Sequence, residues 1–487
     1  LAKQIVVIGA GFAGLSAACY LAQKGCNVTV LEKNEMAGGR ARTFSEQGFL
    51  FDMGPSWYWM PDVFDKFFGD FGKKTSDYYD LVRLDPSYQV FFSEKEVVKI
   101  PANMQELEQL FEHYEKGSSL QLRAFLQQAE YKYQVGINKL VYYPSRSITE
   151  FIDVKLLVDM VRMNIFQSFA KHARQFFKNP QLLKLVEFPI IFLGATAEST
   201  PALYSLMNYA DMSLGTWYPQ GGMHKIVEGM VSLAKELGVT FRFSEAVTGF
   251  DIQGKNVKSV KTAQNTYTAD AVVGAADYHH IDQQLLPEKY RNYSPEYWDK
   301  RTMAPSCLLY YVGVNKRLKN LLHHNLFFDE DFTVHAHEIY EQPKFPSKPL
   351  FYVSVPSQTD SSVAPEGHEN LFLLIPTAPN LKDTPDIKAH YYHVIMDRLE
   401  RLTGQSIRDA VVYKRAYAHS NFIADYNSFK GNAYGLANTL RQTAILKPTL
   451  KNNQLNNLFF AGQLTVPGPG VPPSLISGKV VADYMLK

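Results

Sequence analysis

KQIVVIGAGFAGLSAACYLAQKGCNVTVLEKNEMAGGR, residues 3–40, is the stretch that decides the fold. Residues 5–8 are a short continuous apolar run, Gly9, Gly11 and Gly14 follow at GxGxxG spacing, and residues 15–21 read as an alanine-rich helix. Residues 28–31 make a second apolar strand that ends in Glu32. This is a βαβ unit, and each part has a mechanical task. Gly9 permits the tight turn out of the strand, Gly11 lets backbone N–H groups approach a pyrophosphate, and Gly14 lets the helix pack closely on the sheet. The anion then sits at the helix N-terminus. Glu32 is placed to accept hydrogen bonds from a ribose 2′-OH and would repel a 2′-phosphate, which argues for FAD or NAD and against NADP.

Gly38-Gly39-Arg40 comes directly after the second strand. A glycine pair brings backbone up to a cofactor while the arginine faces phosphate, and this favours FAD. The glycine fingerprint followed by GGR resembles the FAD-binding region of the amine oxidase and carotenoid desaturase superfamily. The resemblance extends the cofactor-binding set to Phe12 and Ala13 between the glycines and to Lys33 after Glu32. It also implies that Gly54, Pro55 and Ser56 pass near the isoalloxazine ring, and that the backbone of Val247 touches the adenine.

With 487 residues and 46% hydrophobic content the chain is long enough for two domains with large cores. A net charge of +2, from 50 basic and 48 acidic residues, gives no electrostatic case for nucleic acid. Cys19, Cys26 and Cys307 are too few and too scattered for a disulfide framework or a zinc site, so a reducing compartment and no metal are expected. The first apolar run is already the nucleotide-binding strand, so no signal peptide is expected, and no run reaches the ~18 apolar residues of a spanning helix. The expected location is cytoplasmic, peripheral on the inner face of the membrane. The 13% aromatic content fills cores and would also suit a long apolar ligand.

Farther along, PSYQVFF and KEVVKI, within residues 85–100, read as strands, and residues 103–133 as helical. Residues 152–177, IDVKLLVDMVRMNIFQSFAKHARQFF, read as helical and strongly apolar with interspersed Lys155, Arg162, Lys171 and Arg174. They fit either core helices with solvated charges or an amphipathic surface in the lipid interface. A helix over 224–237 is ended by Gly238, and strands VTFRF, EAVTGFDI and ADAVVGAAD follow. SCLLYYVGV, PLFYVSVP and NLFLLIPTAP, within 281–405, read as an antiparallel sheet that floors a substrate tunnel, with a helix over 391–402 behind it. Near the C-terminus, LFFAGQ (458–463) is a strand entering a glycine-rich turn, and a helix follows over about 475–485. Gly462, Gln463, Gly470, Val471 and Pro472 therefore join the cofactor-binding set, with the helix N-terminus facing a flavin carbonyl.

TDSSVAPEG, residues 359–367, is similar to the TDPSLAPEG segment of bacterial-type phytoene desaturases. The C-terminal motif resembles that family's GxxTHPGxGxP, with Val466 where histidine is usual. The resemblance covers nearly the whole chain. It implies an α/β fold: a Rossmann-like FAD-binding domain (1–56, 216–280, 411–487) interleaved with a substrate domain of antiparallel sheet and helices (57–215, 281–410). It also implies removal of two hydrogens beside a conjugated polyene, with a carotenoid as substrate and oxygen or a membrane quinone as electron acceptor. Phytoene desaturation and 3,4-desaturation of a hydroxylated carotenoid both stay open, as do a flavin-dependent carotenoid isomerase and a non-redox prenyl-chain binding protein. No acid or base is marked. Asp153, Glu150, Arg146, His224 and His419 are candidates by residue type alone.

Overall fold

The computed structural model describes residues 2–147, 150, 167–191 and 196–486. Its first sheet has five parallel strands in the order Leu458–Phe460, Ala271–Gly274, Gln4–Ile8, Asn27–Leu31 and Thr240–Arg242. Alternation along Gln4–Ile8 feeds two cores. Ile5 and Val7 join the core that also holds the helix Phe12–Gln23, while Val6 and Ile8 join Val257, Val260 and Trp298. The antiparallel sheet of Val247–Gln253, Asn256–Thr262 and Thr266–Thr268 belongs to that second core. A parallel strand buried on both faces has to be apolar throughout, which is why 5–8 lacks a polar alternation.

The second sheet has seven strands in the order Val411–Tyr417, Ser306–Val314, Glu369–Thr377, Phe351–Ser354, His324–Phe327, Tyr88–Phe91 and Val97–Ile100. It is antiparallel as expected, except that His324–Phe327 runs parallel to Tyr88–Phe91. Every residue of Ser306–Val314 is buried. Leu308, Tyr310 and Val312 pack with Tyr392, Ile395 and Leu399 of the helix Pro385–Thr403, and Cys307, Leu309 and Tyr311 face the other core. That helix is longer than the predicted 391–402. Thr384 caps it by accepting from the Ile387 amide at 3.2 Å, Pro385 occupies its first turn, and Gly404 at φ +66° ends it.

Three further boundaries differ from the sequence reading. The helical stretch 103–133 is two helices, Met104–Tyr114 and Ser118–Asn138, broken at Gly117 with φ +84°. The strand Val411–Tyr417, placed with the FAD-binding part in the sequence reading, pairs with Ser306–Val314 of the second sheet. The last helix is Val471–Met485 and starts ahead of the predicted 475, because Pro472 and Pro473 occupy its first turn, where no intrahelical N–H bond is lost.

Of the basic, apolar stretch 152–177, residues 152–166, and with them Lys155 and Arg162, lie outside the described residues. In the remainder, Lys171 and Arg174 are exposed while Phe169, Ala173 and Phe177 are buried with Phe111 and Phe125. In this part the apolar side chains serve the core. Among the described residues no helix is long and apolar enough to cross a membrane.

Candidate active site

The site grows from the first strand. Gly9 turns the chain at φ +101°, and a Cβ there would come within 3.0 Å of the Ala276 amide nitrogen. A Cβ on Gly14 would lie 2.0 Å from the Gly9 carbonyl oxygen, so Gly14 sets helix-to-turn packing and does not line the cavity. At Gly11 the same construction meets no protein atom within 4 Å. The space in front of it is open. Gly38 donates to the Ala10 carbonyl at 2.8 Å, and a Cβ on Gly39, at φ +56°, would lie 3.5 Å from the Gly11 Cα, so the GGR turn and the first turn stand against each other.

Glu32 is buried, with Oε2 accepting from the Ala10 amide at 2.8 Å and Oε1 from the Asn34 amide at 2.9 Å and its side-chain nitrogen at 2.8 Å. Arg40 crosses to the late part of the chain. Its Nη2 donates to Ser428 Oγ at 2.9 Å and to the Asn432 carbonyl at 3.1 Å. With its carboxamide turned to satisfy both neighbours, Gln463 accepts from the same guanidinium at 2.9 and 3.0 Å. Close by, Asp277 accepts from the amides of His280 and Phe429, and burial pushes its carboxyl up to about 6 against the pull of Arg40.

These groups surround one cavity of about 580 Å³. Of the predicted cofactor residues, Gly9, Gly11, Phe12, Ala13, Glu32, Lys33, Gly38, Gly39, Arg40, Gly54, Pro55, Ser56, Val247, Gly462, Gln463, Gly470, Val471 and Pro472 line it. The fit to a dinucleotide rests on three features. The helices Phe12–Gln23 and Val471–Met485 both begin at this cavity with no side-chain cap and no acid in the first turn, leaving their positive ends available to an anion or a carbonyl. The buried Arg40 Nε has no partner among the described residues. Gly11 leaves room for a pyrophosphate.

The acid and base candidates lie elsewhere. His224 Nδ1 is bonded to the Ala41 carbonyl at 2.7 Å, His419 Nε2 to the Ala378 carbonyl at 2.8 Å, and Arg146 pairs with Glu150 at 2.8 Å. None of these lines the cavity, and Asp153 is outside the described residues.

The sequence profile described as flavin containing amine oxidoreductase matches residues 12–486. The chain is 40% identical over 486 residues to a carotenoid 3,4-desaturase of Haloarcula japonica, covering 100% of this chain and 98% of that protein. The chain belongs to the carotenoid desaturases of the flavin-containing amine oxidoreductase family. It is also 30% identical to a zeta-carotene-forming phytoene desaturase of Myxococcus xanthus, covering 99% of this chain and 94% of that one. An oxidoreductase of Methanosarcina mazei shares the fold, with a TM-score of 0.63 at 15% identity over 99% of this chain and 100% of that one. The carotenoid desaturase is thus a flavoenzyme, and FAD is its cofactor.

The sequence reading places a sheet at this desaturase's substrate space without naming which of its side chains line the cavity. Trp57, Leu309, Tyr352, Phe372 and Leu374 form an apolar wall contributed by the second sheet and the segment after Pro55. Two-residue alternation along Ser306–Val314 and Glu369–Thr377 marks which side chains share a face, yet only the pairing Leu309 with Leu374 brings those faces together at the cavity. Asp425, Tyr426 and Asn427 also reach it from a helix end with no recognisable motif.

Proposed function

We propose that the chain is an FAD-dependent desaturase of the 3,4 type, which introduces a C=C bond next to the existing polyene of a hydroxylated carotenoid. The observation that carries this reading is the continuity of the cavity. One space joins the glycine turns, Glu32 and Arg40 to the apolar wall of Trp57, Leu309, Phe372 and Leu374. The full-length likeness to a carotenoid 3,4-desaturase, higher than the 30% to a phytoene desaturase, supports the choice of bond.

FAD, when bound, supplies a two-electron oxidant that takes up hydride. The chain's own residues do the rest. Gly11 and the N-terminus of Phe12–Gln23 would receive the pyrophosphate, Glu32 the ribose and the Val247 backbone the adenine. The N-terminus of Val471–Met485 would offer its dipole to negative charge on the ring, and Gly54, Pro55 and Ser56 would line the space for it. The sheet wall aligns a rigid polyene and excludes water, which shields a developing allylic cation from capture.

Substrate and acceptor share an apolar phase in this reading. The protein docks peripherally on the cytoplasmic face of the membrane, extracts its hydrocarbon substrate from lipid, and passes electrons to a quinone or to oxygen. Exposed Ile445 and Leu446 next to exposed Arg441 suit such contact. The test is incubation of purified protein in liposomes with phytoene, lycopene and 1′-hydroxy-γ-carotene, with and without quinone under anaerobiosis. A red-shifted product lacking two hydrogens, formed from the hydroxylated carotenoid and dependent on acceptor, is expected. Turnover without any acceptor would assign an isomerase instead, and failure to float with anionic liposomes would remove the membrane part.

A further inference from the structure

The substrate wall contains a phenol backed by a buried imidazole. Tyr352, on the strand Phe351–Ser354, lines the cavity beside Trp57, and its hydroxyl lies 2.6 Å from His324 Nδ1. His324 sits fully buried on the neighbouring strand His324–Phe327. Its ring lies flat on Trp57, with centroids 4.1 Å apart and planes 11° from parallel. His324 Nε2 has no partner among the described residues. Burial, with His323 alongside, holds the imidazole well below the ordinary histidine range, so it is neutral, and in the tautomer with its proton on Nε2 the Nδ1 lone pair faces the Tyr352 hydroxyl.

Packing alone does not ask for this. A phenylalanine and a leucine would fill the same space without an unpaired buried nitrogen, and a buried polar atom left without a partner calls for an explanation. Three charged groups of the cavity are engaged in its cradle: Glu32 by Ala10 and Asn34, Asp277 by His280 and Phe429, Arg40 by Ser428 and Asn432. Cys307 is also on the wall, and burial pushes its thiol far above the ordinary range.

Resting on the desaturase reading above, we propose that Tyr352 is the catalytic residue that receives the proton leaving the substrate, and that His324 accepts the phenol's own proton in the same movement. FAD, when bound, would supply the two-electron oxidant that takes a hydride, with its C–H electron pair, from one carbon. The C–H bond on the neighbouring carbon then breaks, its electron pair becomes the second bond of the alkene, and its proton goes to Tyr352 Oη. The Tyr352 O–H proton passes to His324 Nδ1. Tyrosine ends as a neutral phenol and histidine as an imidazolium. Trp57 offers that cation its π face. A weakly basic imidazole suffices because the proton next to an allylic cation is strongly acidic, and the same property returns the proton through Tyr352 to water once product has left.

The experiment uses the FAD-loaded protein in liposomes with the carotenoid that the parent converts, in single turnover, in H₂O and in D₂O. In Tyr352→Phe and His324→Gln, flavin content and KM are expected to stay at parent values while product formation slows about 100-fold or more. The solvent isotope effect of the parent should vanish in Tyr352→Phe. Rates within about threefold of the parent in both variants, or an isotope effect unchanged in Tyr352→Phe, would overturn the relay. Loss of flavin or of thermal stability in both variants would assign the pair to the scaffold and overturn it equally. A parent that dehydrogenates no carotenoid would overturn the desaturase reading itself, which separates the two failures.

Discussion

The Ala10 amide donates to Glu32 Oε2 at 2.8 Å, which ties the acid at the end of the second strand to the turn that ends the first. Glu32 therefore shapes the cradle before any ribose reaches it. Removing the carboxylate leaves the buried Ala10 N–H without an acceptor, at a cost of about 1–3 kcal/mol. Glu32→Ala is expected to lower the melting temperature of the flavin-free protein and to weaken FAD binding. Glu32→Gln, which keeps one accepting oxygen, should fall between it and the parent. Melting curves of the apoprotein and flavin-fluorescence titrations measure both effects.

Gly11 and Gly14 should fail in different ways. A Cβ at Gly11 meets no protein atom within 4 Å, so Gly11→Val is expected to fold with near-parental stability and to purify without flavin. At Gly14 a single methyl group would sit 2.0 Å from the Gly9 carbonyl oxygen. Gly14→Ala is expected to destabilise the fold by roughly 3 kcal/mol or more through overpacking. Absorbance at the flavin band, set beside urea midpoints, distinguishes the two. A fully yellow Gly11→Val would show that the pyrophosphate lies elsewhere.

Lys447 is buried behind the loop at Gly468, with its Nζ 3.0 Å from Asn438 Oδ1, and burial lowers its ammonium to about 7. The folded protein then releases this proton above about pH 7, while the unfolded chain holds it up to the usual lysine range. Between those limits the unfolded state binds more protons, so this residue's contribution to stability rises with pH. Below about 7 both states are protonated and the full penalty applies. Lys447→Met is expected to be more stable than the parent at pH 7 and below, by on the order of 3 kcal/mol, with the advantage fading toward pH 10. Urea unfolding across that range measures it, and parallel profiles would refute it.

Adjacent residues of one strand should separate stability from substrate handling. Leu308 packs with the helix Pro385–Thr403, whereas Leu309 lines the cavity. Leu308→Ala is expected to cost about 2–5 kcal/mol with the product pattern unchanged. Leu309→Ala enlarges a space that already exists, so it should cost less and change carotenoid affinity or product distribution. Unfolding midpoints and product chromatography provide the two readings.

The first βαβ unit was legible because three independent signals coincide there: the spacing of Gly9, Gly11 and Gly14, the apolar strands on either side, and Glu32. The strand Ser306–Val314 was legible to its ends because both its faces are buried and every position is apolar or small. The start of the last helix was not. Pro472 and Pro473 read as breakers in a linear pattern, yet they are compatible with a first turn. The parallel pairing of His324–Phe327 with Tyr88–Phe91 joins segments far apart in sequence, and no local propensity encodes such a choice. The same holds for the site. The glycines and Glu32 announce themselves, but Arg40 meets Ser428 and Asn432, and Trp57 meets His324, only once the chain has closed.

The helices Phe12–Gln23 and Val471–Met485 touch so closely at Gly478 that a Cβ there would lie 2.3 Å from the Ala13 carbonyl oxygen. The cradle is thus built from residues that leave the ribosome at widely separated times. Early in translation a nascent chain carries the glycine turn and Glu32 but lacks the closing wall of Gly462, Gly470 and Val471. The complete flavin cradle therefore exists only once the helix Val471–Met485 has docked on Phe12–Gln23.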